Sequence, residues 1–360
     1  MNLKHVTYSH FTESLGGGVL TSIRAITEAQ KKIGFNTEIV YLERSDTPPP
    51  EQIKALFPNS RIVNLGTSNS LGKIRFLIYS SKLLLKLKST QIIHVHSTIA
   101  GVLVRIPNLL FRRSIYYTPH CYSFVRQDIG LYRKFFFRFV ETTLSSFTPT
   151  IVLGCSYSET EFGRKLGAKS SRYLGNYVDV PKIRNTSQTP NLNSRVVIGT
   201  VGRVTKQKNL PRYIDLLQNV DLPFTFNWIG GDEKTTIEIG EGKCINFSGW
   251  LSPEKVKIEL QKLDIFLLLS DWEGLPFVVL EAMALGKPVI LWNFDSASEL
   301  VPTGNEGYIV SSIDMAVTAL SELISSPEKR REFGNAGYAN VQSHFNLDML
   351  SEKMEIIYNS

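Results

Sequence analysis

The chain has 360 residues, 42% of them hydrophobic, a formal net charge of +7, and Gly and Pro in ordinary numbers. That size suffices for two domains of common size. No apolar run reaches the length of a membrane span, and the widely spaced Cys121, Cys155 and Cys244 give neither a disulfide framework nor a zinc site.

Met1-Asn2-Leu3-Lys4 leads straight into a strand and not into a signal peptide, so a reduced, cytoplasmic protein is expected. The charge is unevenly spread. Residues 1–185 carry 25 Lys/Arg against 11 Asp/Glu, a balance of +14, and residues 186–360 carry 15 against 22, a balance of −7. Such a split points to an anionic partner for the first half, membrane or nucleic acid, or else to harmless surface charge. No recognised nucleic-acid motif is present, so nucleic acid is not expected as a partner.

In chain order, residues 3–8 read as a strand, followed by the turn Ser14-Leu15-Gly16-Gly17-Gly18 and a helix over about 19–32. Strand, glycine turn and helix is the phosphate-binding arrangement of a Rossmann-like unit, although no G-x-G-x-x-G occurs. Strands are expected at 36–42 and 61–64, with Pro48-Pro49-Pro50 as a loop between them. Residues 71–88 read as a helix with Arg75, Lys82 and Lys86 at helical spacing among Leu, Ile, Phe and Tyr. In 131–139, Phe135, Phe136 and Phe139 share one side, with Lys134 and Arg138 opposite. Each such helix either covers a sheet or lies on an anionic bilayer. Taken with the +14 half, the two together favour membrane contact.

The strand at 91–96 puts His94 and His96 on one face by period two. Two such histidines can ligate a metal, but no third ligand is spaced nearby, and a polar cluster is expected. Further strands are read at 114–118, ending at Thr118-Pro119-His120, at 150–154 before Ser156 as an N-cap, and at 171–175. Residues 181–194, rich in Pro, Asn, Ser and Thr, read as a linker.

The second half opens with a strand at 196–201, after which Arg203 and Lys208 stand where an anion would sit at a strand's C-terminal end. A strand at 224–229 ends at Gly230-Gly231, and 245–250 ends at Trp250, either core or beside a ligand. The apolar run 265–269 reads as a buried strand. It leads into S-D-W-E-G-L-P-F-V-V-L-E-A-M-A-L-G-K-P-V-I-L-W, residues 270–292, where a helix over 276–285 is apolar nearly all round. Its single charge is Glu281, and Glu273 stands in the loop before it. The helix N-terminus suits an anionic group such as phosphate. Carboxylates beside a phosphate repel it unless they point at hydroxyls, so sugar or ribose hydroxyls are natural targets. The alternative is a solvated Glu273 and a structurally bonded Glu281. After Pro327 two helices follow, the last over about 347–358.

The stretch E-G-L-P-F-V-V-L-E has the Glu-x7-Glu spacing of the retaining GT-B glycosyltransferases, and its continuation E-A-M-A-L-G-K-P-V-I resembles their family four. The resemblance implies an α/β fold of two Rossmann-like domains facing a cleft: an acceptor domain at 1–180, a nucleotide-sugar domain at 181–345, and a helix at 346–360 crossing back. It implies that Glu273 contacts the donor sugar and Glu281 the ribose. Gly274, Leu275, Pro276, Phe277 and Val278 between them would hold the diphosphate. Arg203 and Lys208 match the family's diphosphate pair, and Gly16, Gly17 and Gly18 its donor-phosphate loop. His120 stands where a histidine reaches the donor sugar, and Trp250 lies in the segment beside the base. Asn176-Tyr177-Val178-Asp179 departs from the family's Asn-Gly-Val-Asp at Tyr177.

The activity implied is transfer of a sugar with retention, without metal or other cofactor, and no D-x-D occurs in the chain. The expected donor is UDP-hexose or UDP-N-acetylhexosamine. The expected acceptor is a lipid-linked saccharide of bacterial surface polysaccharide assembly, met at the inner face of the cell membrane. The alternatives are a sugar-nucleotide epimerase of the same fold or a transferase with a soluble acceptor.

Overall fold

The computed structural model describes residues 6–88, 90–181 and 195–359. The start of the first expected strand and nearly all of the expected linker lie outside them. The chain divides into two units: residues up to Tyr177 together with those from Leu347 onward, and Val178–Asn346.

Unit one alternates strands and helices along the chain: β1 (Thr7–Thr12), α1 (Gly17–Lys32), β2 (Asn36–Glu43), α2 (Pro50–Leu56), β3 (Ser60–Thr67), α3 (Ser70–Leu85) and β4 (Gln91–His96). It continues with α4 (Thr98–Phe111), β5 (Ile115–Thr118), α5 (Leu131–Phe147), β6 (Thr150–Gly154), α6 (Tyr157–Lys165) and β7 (Ser170–Tyr173). The sheet order is β3-β2-β1-β4-β5-β6-β7, parallel throughout. Strand order reverses between β1 and β4, where open α/β sheets form a crevice at the carboxyl ends of their strands.

Unit two holds β8 (Val196–Val201), α7 (Leu210–Gln218), β9 (Phe224–Ile229), β10 (Lys234–Gly240), β11 (Lys243–Ser248), α8 (Pro253–Gln261) and β12 (Ile265–Leu268). These are followed by α9 (Phe277–Ala284), β13 (Val289–Trp292), α10 (Ala297–Leu300), β14 (Gly307–Val310), α11 (Ile313–Ser325) and α12 (Pro327–His344). Its order, β10-β11-β9-β8-β12-β13-β14, repeats six strands of the first sheet's plan, without a counterpart of β7 and with an antiparallel β10 added at the other edge. The core is aromatic and aliphatic, with Tyr213, Phe226, Trp228 and Leu267 fully buried. The last helix, α13 (Leu350–Asn359), returns to unit one, where Leu350, Met354 and Ile357 pack against Ala25, Ile26 and Ala29 of α1.

Several elements differ from the sequence expectation, among them β1, β10 and α5. β1 runs to Thr12, because its pairing with β2 and β4 continues through all six residues. β10 has no counterpart in the expected elements; it is an exposed edge strand turning back through Glu241 and Gly242, both at positive φ. α5 runs on to Phe147, since nothing before Pro149 breaks it.

Helix α5 buries a charged residue beside Leu144 and turns aromatic rings outward. Its buried side carries Glu141, whose Oε2 accepts from the fully buried Arg105 of α4 at 2.7 Å and whose Oε1 accepts from Tyr117 Oη at 2.9 Å. The Arg105 guanidinium lies 4.0 Å over the Tyr117 ring. Its outer side carries Phe135, Phe136 and Phe139, which are 62–70% exposed.

Candidate active site

In unit two, β12 is buried at every position and ends beneath Ser270, so the following loop emerges at the carboxyl end of the sheet. That loop is tied to the one after β8. Gln207 O accepts from Asp271 N at 2.9 Å, and Gln207 Nε2 donates to Trp272 O at 2.7 Å. Asn209 donates to both Asp271 oxygens at 3.2 Å, and Arg212 pairs with Asp271 at 2.7 Å. Gly202 makes the turn before Arg203 with φ +142, and a Cβ there would meet the Lys208 side chain at 3.0 Å. These ties bring Lys208 Nζ to 2.9 Å from Glu273 Oε1. Arg203, on the same turn, has an exposed side chain.

Helix α9 begins at Phe277 with Pro276 as its N-cap, one residue later than expected, and no side chain caps it. The first amides of a helix have no intrahelical acceptor, so this end offers N–H groups and a positive dipole end. Gly274 lies in the loop before it, Leu275, Pro276 and Phe277 are buried, and Val278 is partly exposed. Glu281, in the second turn, makes no side-chain hydrogen bond among the described residues. Burial pushes its carboxyl up to about 7, with Lys257 of α8 pulling the other way. Trp250, in the loop before α8, is 75% exposed and is not a core residue.

The remaining expected residues lie in unit one. Gly16 is the extended N-cap of α1, Gly17 has φ +52, and Gly18 follows in the first turn. A Cβ on Gly16 would stand 2.6 Å from Asp46 O, so only glycine fits. His120 (φ +52) and Cys121 (φ +80) both sit in the left-handed region just after β5. The buried Glu159 holds this loop, accepting from Cys121 N and, at 2.9 Å, from Cys155 N. Burial raises the Glu159 carboxyl, while these amide bonds lower it.

His94 and His96 gain a third partner that sequence spacing did not supply. The β1–β4 register sets His10 beside His94, and one ring nitrogen from each of His10, His94 and His96 lies within 4.8 Å of the others. Their bonds are already made: Gln30 Oε1 to His10 Nε2 at 2.8 Å, His10 Nδ1 to His96 Nε2 at 3.0 Å, and His94 Nε2 to Thr118 Oγ1 at 2.8 Å. His96 Nδ1 in turn meets His120 Nε2 at 3.0 Å. Burial lowers His10 and His120 to about 4, and lowers His94 and His96 well below the usual range with help from neighbouring histidines. His10 and Gln30 were missed by sequence reasoning. The signal available was period two on β1, with His10 facing the same way as Tyr8 and Thr12.

The expected membrane residues fall on α3 and α5. Arg75, Lys82, Lys86 and Arg138 are exposed, and Lys134 donates to Gln127 at 3.1 Å. Among the described residues no helix is long and apolar enough to cross a membrane.

Residues 182–340 match the family described as glycosyl transferases group 1. Over 319 residues the chain is 26% identical to an uncharacterized 41.2 kDa protein in the cps region of Klebsiella pneumoniae, covering 85% of this chain and 86% of that one. It is 25% identical over 268 residues to the UDP-Gal:alpha-D-GlcNAc-diphosphoundecaprenol alpha-1,3-galactosyltransferase of Escherichia coli, covering 66% and 67%. The structure of Anabaena HepE in complex with UDP and glucose superposes with a TM-score of 0.79 at 15% identity, covering 99% and 100%. The fold is GT-B, and unit two carries the sequence signature of the glycosyl transferases group 1.

Proposed function

We propose that the chain transfers a sugar from a UDP-sugar, a hexose or N-acetylhexosamine, to a lipid-linked saccharide in bacterial surface polysaccharide assembly, with retention and without a metal. The observation that carries the donor reading is Glu281, a raised carboxyl with no hydrogen-bond partner among the described residues, on a helix whose N-terminus has no side-chain cap. Ribose hydroxyls supply the donors such a carboxylate lacks, and a diphosphate supplies the acceptors for the amides at the helix start. Arg203 and Lys208 neutralise charge as the bond from the anomeric carbon to the diphosphate breaks. Glu273 orients the sugar. The acceptor hydroxyl attacks from the face the diphosphate leaves, and its proton passes to the departing phosphate oxygen.

The lipid acceptor is supported by the exposed aromatic residues of α5, by the basic first half, and by the E. coli relative, whose name includes a diphosphoundecaprenol acceptor. Incubation with a nucleotide-sugar panel and a lipid extract, then mass analysis of the lipids, tests the reading. A lipid gaining one sugar with the donor's anomeric configuration, unaffected by EDTA, is expected. An altered nucleotide-sugar released without acceptor would make the protein an epimerase, and loss of activity on chelation would overturn the metal-free chemistry.

A further inference from the structure

At the β1–β4 switch point of unit one, Gln30, His10, His96 and His120 form an unbroken row of hydrogen bonds of 2.8, 3.0 and 3.0 Å. The row uses both nitrogens of His10 and of His96. A neutral imidazole has one donor and one acceptor, so the proton position at one end dictates every proton after it. Gln30 sets that end. Its Nε2 donates to Tyr358 Oη at 3.1 Å, which turns Oε1 toward His10, and an amide oxygen can only accept. His10 therefore carries its proton on Nε2 and accepts at Nδ1 from His96 Nε2–H. His96 in turn accepts at Nδ1 from His120 Nε2–H. The nitrogen left over is His120 Nδ1, which no described residue bonds.

We infer that Gln30 is a positioning residue that, through His10 and His96, fixes His120 in the Nε2–H tautomer, leaving its Nδ1 as an acceptor for a substrate hydroxyl. The substrate contact rests on the transferase reading above; the tautomer does not. Burial keeps His10 and His120 neutral near pH 7, the condition under which the row runs in one direction. Two consecutive left-handed residues at 120–121 are strained for side chains with a Cβ, and Glu159 holds them so that the ring reaches the row. His94 stands beside the row, its ring 4.1 Å from that of His96, but bonds Thr118 instead.

The test is long-range proton–nitrogen NMR on the full chain labelled with 15N-histidine, near neutral pH, with His120→Ala assigning the His120 signals. Wild-type protein should show His10, His96 and His120 each protonated on Nε2 alone. Gln30→Met, which keeps the length and removes the oxygen, should give mixed tautomers at His120, and Gln30→Glu should restore one. Turnover in Gln30→Met should fall about tenfold, the scale of one misdirected hydrogen bond, with rescue in Gln30→Glu.

A His120 protonated on Nδ1 in wild type would overturn the inference, whether or not any variant folds. So would an unchanged His120 in folded Gln30→Met, or displacement of the His10 and His96 signals by one equivalent of zinc. Full turnover in His120→Ala with the tautomer results intact would remove the substrate contact and leave the row standing.

Discussion

Lys208 Nζ lies 2.9 Å from Glu273 Oε1, so the cation proposed for the donor diphosphate and the carboxylate proposed for the sugar are paired with each other. Both side chains are largely covered, at 13% and 12% exposure, so neither charge is fully solvated. Lys208→Ala therefore strands Glu273. It should cost about 1–3 kcal/mol in unfolding free energy as well as roughly 3 kcal/mol in turnover. Arg203→Ala removes an exposed side chain and should cost a similar amount in turnover, with stability changed by less than about 0.5 kcal/mol. Urea unfolding and steady-state kinetics at saturating donor separate the two. Full turnover in either variant would remove the diphosphate assignment.

Glu281 predicts a pH dependence. Its carboxyl is raised on folding from the usual 4.5 to about 7, so the native state holds the proton more tightly than the unfolded chain. The associated stability is fully present below about pH 4.5 and is lost as pH rises through about 7, on the order of 1–3 kcal/mol. Glu281→Gln, neutral at every pH, should remove that slope and melt higher than wild type at pH 8. Donor affinity should move the opposite way, rising with pH through about 7 in wild type and staying flat and weaker in Glu281→Gln. A melting profile that keeps its slope in the variant would mean another group titrates.

Much of this architecture was legible in the sequence. The helix over 277–284 stands out because it is apolar all round, and its strand because 265–268 is an uninterrupted apolar run. Glu273 and Glu281 were picked out by the spacing of one motif, and Arg203 and Lys208 by their place after the strand at 196–201. The Lys208–Glu273 pair was not, because it depends on the ties from Gln207 and Asn209 to the loop at 271–272. The histidine row was hidden for the same reason. His10 and His94 are 84 positions apart in the chain, and only the parallel register of β1 with β4 makes them neighbours. Edge strand β10 was missed because its face is exposed and lacks an apolar pattern.

The buried Arg105–Glu141 pair ties α4 to α5 and predicts a large, asymmetric mutational effect. Arg105→Met leaves the buried Glu141 carboxyl without its cation and should destabilise by about 3–5 kcal/mol. Arg105→Met combined with Glu141→Leu removes both charges and should recover much of that loss, leaving mainly the lost Tyr117 bond. Equilibrium unfolding of the two single variants and the double variant measures the coupling directly. Strict additivity would show that the pair is not what holds α5.

The same anchoring turns the aromatic side of α5 outward, and that carries the last prediction. Leu131, Tyr132, Phe135, Phe136 and Phe139 are 62–93% exposed, and α3 adds exposed Leu71, Ile74, Ile78 and Leu85. These exposed rings are more apolar surface than covering the sheet requires, since Leu144 and Glu141 already face inward. Arg75, Lys82, Lys86, Lys134 and Arg138 lie among these side chains, in a half of the chain with balance +14. Attraction of about 1 kcal/mol per basic residue near an anionic bilayer would add to partial insertion of the aromatic rings. Binding to vesicles should need anionic lipid and weaken with salt, because the electrostatic part is screened beyond roughly 10 Å at 0.1 M. Replacing Lys82, Lys86, Lys134 and Arg138 by Ser should remove the salt-sensitive part. Replacing Phe135, Phe136 and Phe139 by Ser should weaken binding at every salt concentration. Both sets should leave donor hydrolysis unchanged, since the proposed donor residues lie elsewhere. Wild-type protein that ignores anionic vesicles at low salt would make a soluble acceptor the better reading and leave the outward face of α5 for a protein partner.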